Sequence, residues 1–117
     1  MAIPSGSGTE VLKRASGTTT ATTTILTVGT HKIVTVLSML IRNGDGTNDT
    51  DLYIKANDGS ADRVLIYLGE NTGKLLKGST FVMNDKIVLY PADTLIITED
   101  GSVTLTYWVS YIEQDWS

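Results

Sequence analysis

The chain has 117 residues, nine Lys or Arg against thirteen Asp or Glu, a net charge of −4 and no cysteine. That length makes one domain with a core large enough to stand without staples, and the missing thiols remove both disulfides and thiolate metal sites. Scattered bases on an acidic chain argue against nucleic-acid binding, and no apolar run approaches the ~18 residues of a membrane span, so neither nucleic acid nor membrane is an expected partner.

Met1–Gly8 is rich in Pro, Gly and Ser and has no means of burying itself; residues 1–9 are expected to be an arm. With no basic n-region or apolar h-region there, synthesis in a cytoplasm without export is expected. Residues 10–15 read as a short extended segment. The Thr-rich run 18–28 reads as one edge strand, because β-branched residues suit the pleated backbone. His31–Arg42, apolar on both parities, reads as a strand buried on both faces. Asn43–Thr50 is a loop, and strands follow at Leu52–Lys55 and Val64–Leu68. Asp58-Gly59 sits between those strands as a hairpin turn with the φ > 0 position that glycine supplies. Further turns fall at Glu70–Gly73, Asn84-Asp85 and Tyr90–Asp93, and Glu99–Ser102 reads as a last hairpin. Val103–Ile112 alternates strictly: Val103, Leu105, Tyr107, Val109 and Tyr111 on one face, and Thr104, Thr106, Trp108, Ser110 and Ile112 on the other. Residues 114–117 are expected as a tail. Short strands at roughly 8–12-residue intervals, with Gly/Asp/Asn turns, predict an all-β antiparallel sandwich of jelly-roll type over residues 10–113, with an extended N-terminal arm.

Candidate chemistry is sparse. The single His31 starts an apolar strand with no Ser, Cys or Asp partner nearby, which fits a solvated strand end rather than a base. Asp45, Asn48, Asp49 and Asp51 offer hard oxygens, but the twelfth position from Asp45 is Ala56, not the Glu of a calcium loop, and turn geometry explains the same residues. Asp93, Glu99, Asp100 and Glu113 fall almost entirely in turns, which argues against a glycosidase pair. No catalytic residue, cofactor or metal site is expected, and no enzyme. What remains is surface: Trp108 interrupts a polar face and calls for a cover. That cover is either the arm or a loop of the same chain, or a neighbouring subunit for which Trp108, Tyr90 and Trp116 are anchors, since Trp and Tyr dominate interface energetics.

The opening Met1-Ala2-Ile3-Pro4-Ser5-Gly6-Ser7-Gly8-Thr9-Glu10-Val11-Leu12-Lys13-Arg14 resembles small virion proteins of tailed bacteriophages, cyanophages among them. So do the closing Val109-Ser110-Tyr111-Ile112-Glu113-Gln114-Asp115-Trp116, and the middle phrases Phe81–Leu89 and Ala92-Asp93-Thr94-Leu95. Ala92 stands where that group reads glycine before the aspartate. The resemblance implies a capsid cement (decoration) protein that binds and stabilises the major capsid lattice, commonly as a homotrimer, with the arm adding a strand to a neighbour. Its second implication is a small tail component, fibre- or baseplate-associated; the aromatics leave a carbohydrate-binding, receptor-recognition module as a third. Localisation is then the virion, on the capsid surface or on the tail. Ile3, Pro4, Val11, Leu12, Arg14, Tyr90, Trp108 and Trp116 are the expected interface residues.

Overall fold

The computed structural model describes residues 9–70 and 73–116. They form nine strands and no helix: β1 (Thr9–Thr19), β2 (Thr22–Thr27), β3 (Lys32–Asn43), β4 (Leu52–Asn57), β5 (Asp62–Leu68), β6 (Thr80–Met83), β7 (Ile87–Leu89), β8 (Thr94–Glu99) and β9 (Leu105–Asp115). Two antiparallel sheets result. Sheet A runs β1-β9-β3, with β6 and β7 successively along the far side of β3; sheet B runs β2-β8-β4-β5. Taking β6 and β7 as one interrupted strand, successive strands fall in sheets A, B, A, B, B, A, B, A. That is the two-sheet order of a jelly roll, so the expected all-β sandwich is the observed fold.

The core forms where the inner faces meet. Val34, Val36, Met39, Ile41, Leu105 and Val109 from sheet A pack against Leu26, Leu52, Ile54, Leu95 and Ile97 from sheet B, all buried. The alternation over 103–111 is realised: Val103, Leu105 and Val109 are buried, while Thr104, Thr106 and Trp108 are exposed.

Several local expectations change. The Thr-rich run is not one strand: β1 ends at Thr19 and β2 begins at Thr22, so the run turns the corner between the sheets. Strand β3 is not buried on both faces. A bulge at Leu37, between the pairs Val36↔Tyr111 and Ser38↔Ser110, shifts its parity. Val34 and Val36 therefore share the core face with Met39 and Ile41, and Leu40 is left on the outside at 42% exposure. Glu99–Ser102 is not a hairpin, because β8 and β9 belong to different sheets. Asn84-Asp85 is an interruption within one edge of sheet A rather than a reversal. Residues 10–15 belong to an eleven-residue strand paired with β9 without a register shift, from Thr9↔Asp115 to Thr19↔Leu105. Among the described residues this pairing reaches Thr9 on β1 and Asp115 on β9.

Between β7 and β8, the Asp93 Oδ2 accepts the Tyr90 N–H at 2.9 Å, and Ala92 holds φ +71°. The turn keeps the left-handed geometry of a glycine while carrying a Cβ, which costs about 1 kcal/mol. Ala92→Gly is expected to stabilise the protein by about 0.5 kcal/mol, the strain relief exceeding the added unfolded-state entropy; urea unfolding measures it, and a loss of stability would contradict it.

Candidate functional site

The outer face of sheet A is assembled row by row from the strand register. One row reads Ser16–Trp108–Leu40–Val82 across β1, β9, β3 and β6. A parallel row reads Leu12–Ile112–Thr35–Val88 across β1, β9, β3 and β7. Arg14, Ser110 and Ser38 lie between them. Alternation sends all of these side chains away from the core. Trp108 is 45% exposed, Val82 52%, Val88 56% and Leu12 71%, and with Leu40 they form an apolar face on a sheet that nothing among the described residues covers. Beside Trp108 a shallow hollow of about 280 Å³ opens between Leu40, Arg42, Thr80, Thr106 and Tyr107.

The Arg14 guanidinium lies over the Trp108 ring, 4.3 Å from its centroid. This contact fixes the indole and occupies a ring face that a stacked sugar would need. Strand pairing makes it possible: Arg14 pairs with Ser110 and Ser16 with Trp108, so Arg14 and Trp108 are diagonal neighbours on one face.

Of the residues expected at an interface, Leu12, Arg14 and Trp108 meet on this face. Tyr90 is exposed just past the end of β7, in the turn that follows. Val11 points the other way yet is 45% exposed, because sheet B does not cover this end of sheet A. Trp116 follows β9; its backbone N–H donates to the His31 carbonyl at 2.8 Å, and its buried indole N–H has no partner among the described residues. Ile3 and Pro4 lie outside the described residues. Sequence reading missed Leu40, Val82 and Val88, whose hydropathy alone reads as core; Ile112 lies on the face that alternation gave it.

The polar residues serve structure. Asp45 Oδ1 accepts the Thr47 and Asn48 N–H groups at 2.7 and 2.9 Å, and these bonds, Asn48 first, hold its carboxyl below the usual range. Asp49 Oδ1 accepts the Lys77 N–H at 2.9 Å, and Asp51 lies 3.6 Å from the Lys74 ammonium. Asp45 and Asp49 thus each use a carboxylate oxygen on backbone N–H groups, and Asp51 faces a lysine, as loop-stabilising acids do. Among the described residues no group of three His, Asp or Glu is placed to hold a metal ion. His31 is exposed in a turn at φ +63°. Glu113 accepts from Lys13 at 2.8 Å and lies 3.4 Å from Lys32; the Lys13 hydrogen bond holds its carboxyl below the ordinary range. Its stabilising contribution is present above the ordinary carboxylate pKa and fades as pH falls through the lowered one.

Glu99 is the buried polar centre. Its Oε2 accepts the Thr50 hydroxyl at 2.9 Å, the Gly101 N–H at 2.7 Å and the Val103 N–H at 3.4 Å. These bonds turn the chain from β8 in sheet B to β9 in sheet A, setting the start of the strand that carries Trp108.

No family model matches the sequence, and no curated protein does. The fold is similar to a chain of the Bacillus endospore appendages, described as a novel family of disulfide-linked pili, at 15% identity and TM-score 0.57 over all of this chain and 97% of that one. It is equally similar to a chain of the acid-stable capsid of a Helicobacter pylori bacteriophage, at 10% identity and TM-score 0.57 over 91% and 93% of the two chains. A third likeness is to infectious bursal disease virus, Gt strain, at 11% identity and TM-score 0.52, covering 93% of this chain but 33% of that one. At these identities the likeness is one of fold. Lacking cysteine, this chain cannot form the disulfides named for the pili.

Proposed function

We propose that this chain is a structural protein of a bacteriophage virion, a capsid cement (decoration) protein that seats the outer face of sheet A on the major capsid lattice and catalyses no reaction. The observation that carries the reading is the exposed apolar face of Leu12, Leu40, Val82, Val88 and Trp108, centred on a tryptophan pinned by Arg14. A single sheet face with this much apolar surface is a contact surface, and a fixed aromatic anchor loses little entropy on docking. The full-length likeness in fold to a phage capsid chain supports a shell as the partner. The homotrimer implied by the sequence resemblance belongs to the particle-bound state. The likeness to a pilus chain favours one second reading, a small tail or fibre component.

Purified protein is mixed with separated phage heads and tails, and each fraction is sedimented. Co-sedimentation with heads at saturable stoichiometry is the expected result. Binding to tails alone moves the protein to the second reading, and binding to neither removes the virion role.

A further inference from the structure

The four sheet edges are built differently. The β2 edge is bulged at Ile25, between Thr24↔Ile96 and Leu26↔Leu95. The β5 edge is bulged at Leu65, between Ile54↔Ile66 and Lys55↔Val64. The edge formed by β6 and β7 breaks between Met83 and Ile87. Bulges and breaks are how sheets protect an edge from pairing with another chain. Edge strand β1 has neither: eleven residues pair with β9 in unbroken register. It also contains no proline.

The direction of the free backbone groups on β1 follows from β9. The Gly44 N–H donates to the Thr104 carbonyl and the Trp116 N–H to the His31 carbonyl, at the two ends of the β3–β9 ladder. Even-numbered residues of β9 therefore turn their backbone groups toward β3, and odd-numbered ones toward β1. Tyr111 and Val109 face Lys13 and Ala15, which take the bonds to β9. Glu10, Leu12 and Arg14 consequently direct their N–H and C=O groups to the open side.

We infer that β1 pairs antiparallel with β1 of a second copy about a twofold axis through Leu12. An antiparallel match of the open backbone groups places even-numbered residues opposite one another, which leaves few registers. Centring on Lys13 opposes two lysines, and centring on Arg14 opposes two arginines. Centring on Val11 sets Glu10 against Leu12. Centring on Leu12 alone sets Glu10 opposite Arg14 twice, stacks the 71%-exposed Leu12 on its own copy, and joins seven residues per chain from Thr9 to Ala15. All three side chains lie on the outer face, so the dimer makes one continuous sheet whose two apolar faces share a side. The inference concerns contact between copies and is independent of which virion surface is occupied.

Sedimentation equilibrium of the free full-length protein at low salt tests it. The wild type is expected to form dimers. Glu10→Arg and Arg14→Glu each replace two attractive pairs by two repulsive ones and are expected to weaken the dimer by about tenfold. The double variant restores complementarity and is expected to recover dimerisation. Leu12→Pro is expected to abolish it without unfolding the protein, since that N–H points to the open side of β1, bonds nothing among the described residues, and an edge strand tolerates proline there. A monomeric wild type, or a double variant no better than the singles, overturns the twofold register. If Leu12→Pro unfolds by circular dichroism, the charge-reversal set decides alone. Head binding by a protein that stays monomeric refutes this inference and spares the cement reading; dimers that ignore heads do the reverse.

Discussion

Glu99→Ala is expected to lower the unfolding free energy by about 3 kcal/mol, which for a domain of this size is a fall of roughly 10–15 °C in melting temperature. The residue is 5% exposed and one oxygen collects three donors. Truncation leaves the Val103 N–H without its acceptor and removes one of two acceptors from both Gly101 and Thr50, whose other bonds run to Thr50 Oγ1 and the Asp51 carbonyl. It also opens a void beside buried Thr50. Glu99→Gln keeps an acceptor of the same shape and is expected to cost about half as much. Gly101→Ala probes the same corner from the other side, since its Cβ would meet the Asp49 carbonyl at 2.6 Å and the Thr50 Cβ at 2.8 Å. Thermal melts followed by circular dichroism measure all three variants. An alanine variant melting within 3 °C of wild type would mean that the Glu99 bonds contribute nothing net to the corner.

That corner also marks where the fold was legible in the sequence and where it was not. Alternation over 103–111 identified its strand and faces because β9 pairs on both sides without a bulge of its own. Strand β3 reads as buried on both faces because one extra residue at Leu37 reverses the parity of everything after it. The chain from Glu99 to Ser102 has the composition of a hairpin turn, and only the tertiary bonds of Glu99 send it into the other sheet. At residues 10–12 both faces of β1 are open, so Val11 and Leu12 can be adjacent and both exposed, whereas Ala15 already packs against the core. The interaction face was half visible. Trp108 is out of place in a polar row, which composition shows, whereas Leu40, Val82 and Val88 become surface only when the register lines them up with it.

Trp108→Ala is expected to reduce affinity for phage heads by about 30- to 100-fold, or about 2–3 kcal/mol, with a stability change below about 1 kcal/mol. Trp108 is the largest side chain among the described residues of the exposed face and is held in place by a cation, the Arg14 guanidinium 4.3 Å from its ring. Such anchors account for most of an interface's energy, while flanking residues such as Val82 exclude water around them. Stability changes little because 45% of Trp108 already faces solvent and its outward position takes no part in the inner core. Arg14→Ala frees the ring without removing it and is expected to produce a smaller loss of binding, since the indole must then be ordered on docking. Val64, 54% exposed on the other sheet, is the control: Val64→Ala removes exposed apolar surface from the opposite side of the sandwich and is expected to bind heads like wild type. Equal losses for Trp108→Ala and Val64→Ala would mean that the contact has no preferred face. Loss for Val64→Ala alone would move it to sheet B. Only a loss confined to the sheet A variants fits a shell contact made by the face that β1, β9, β3 and the interrupted β6–β7 edge build together.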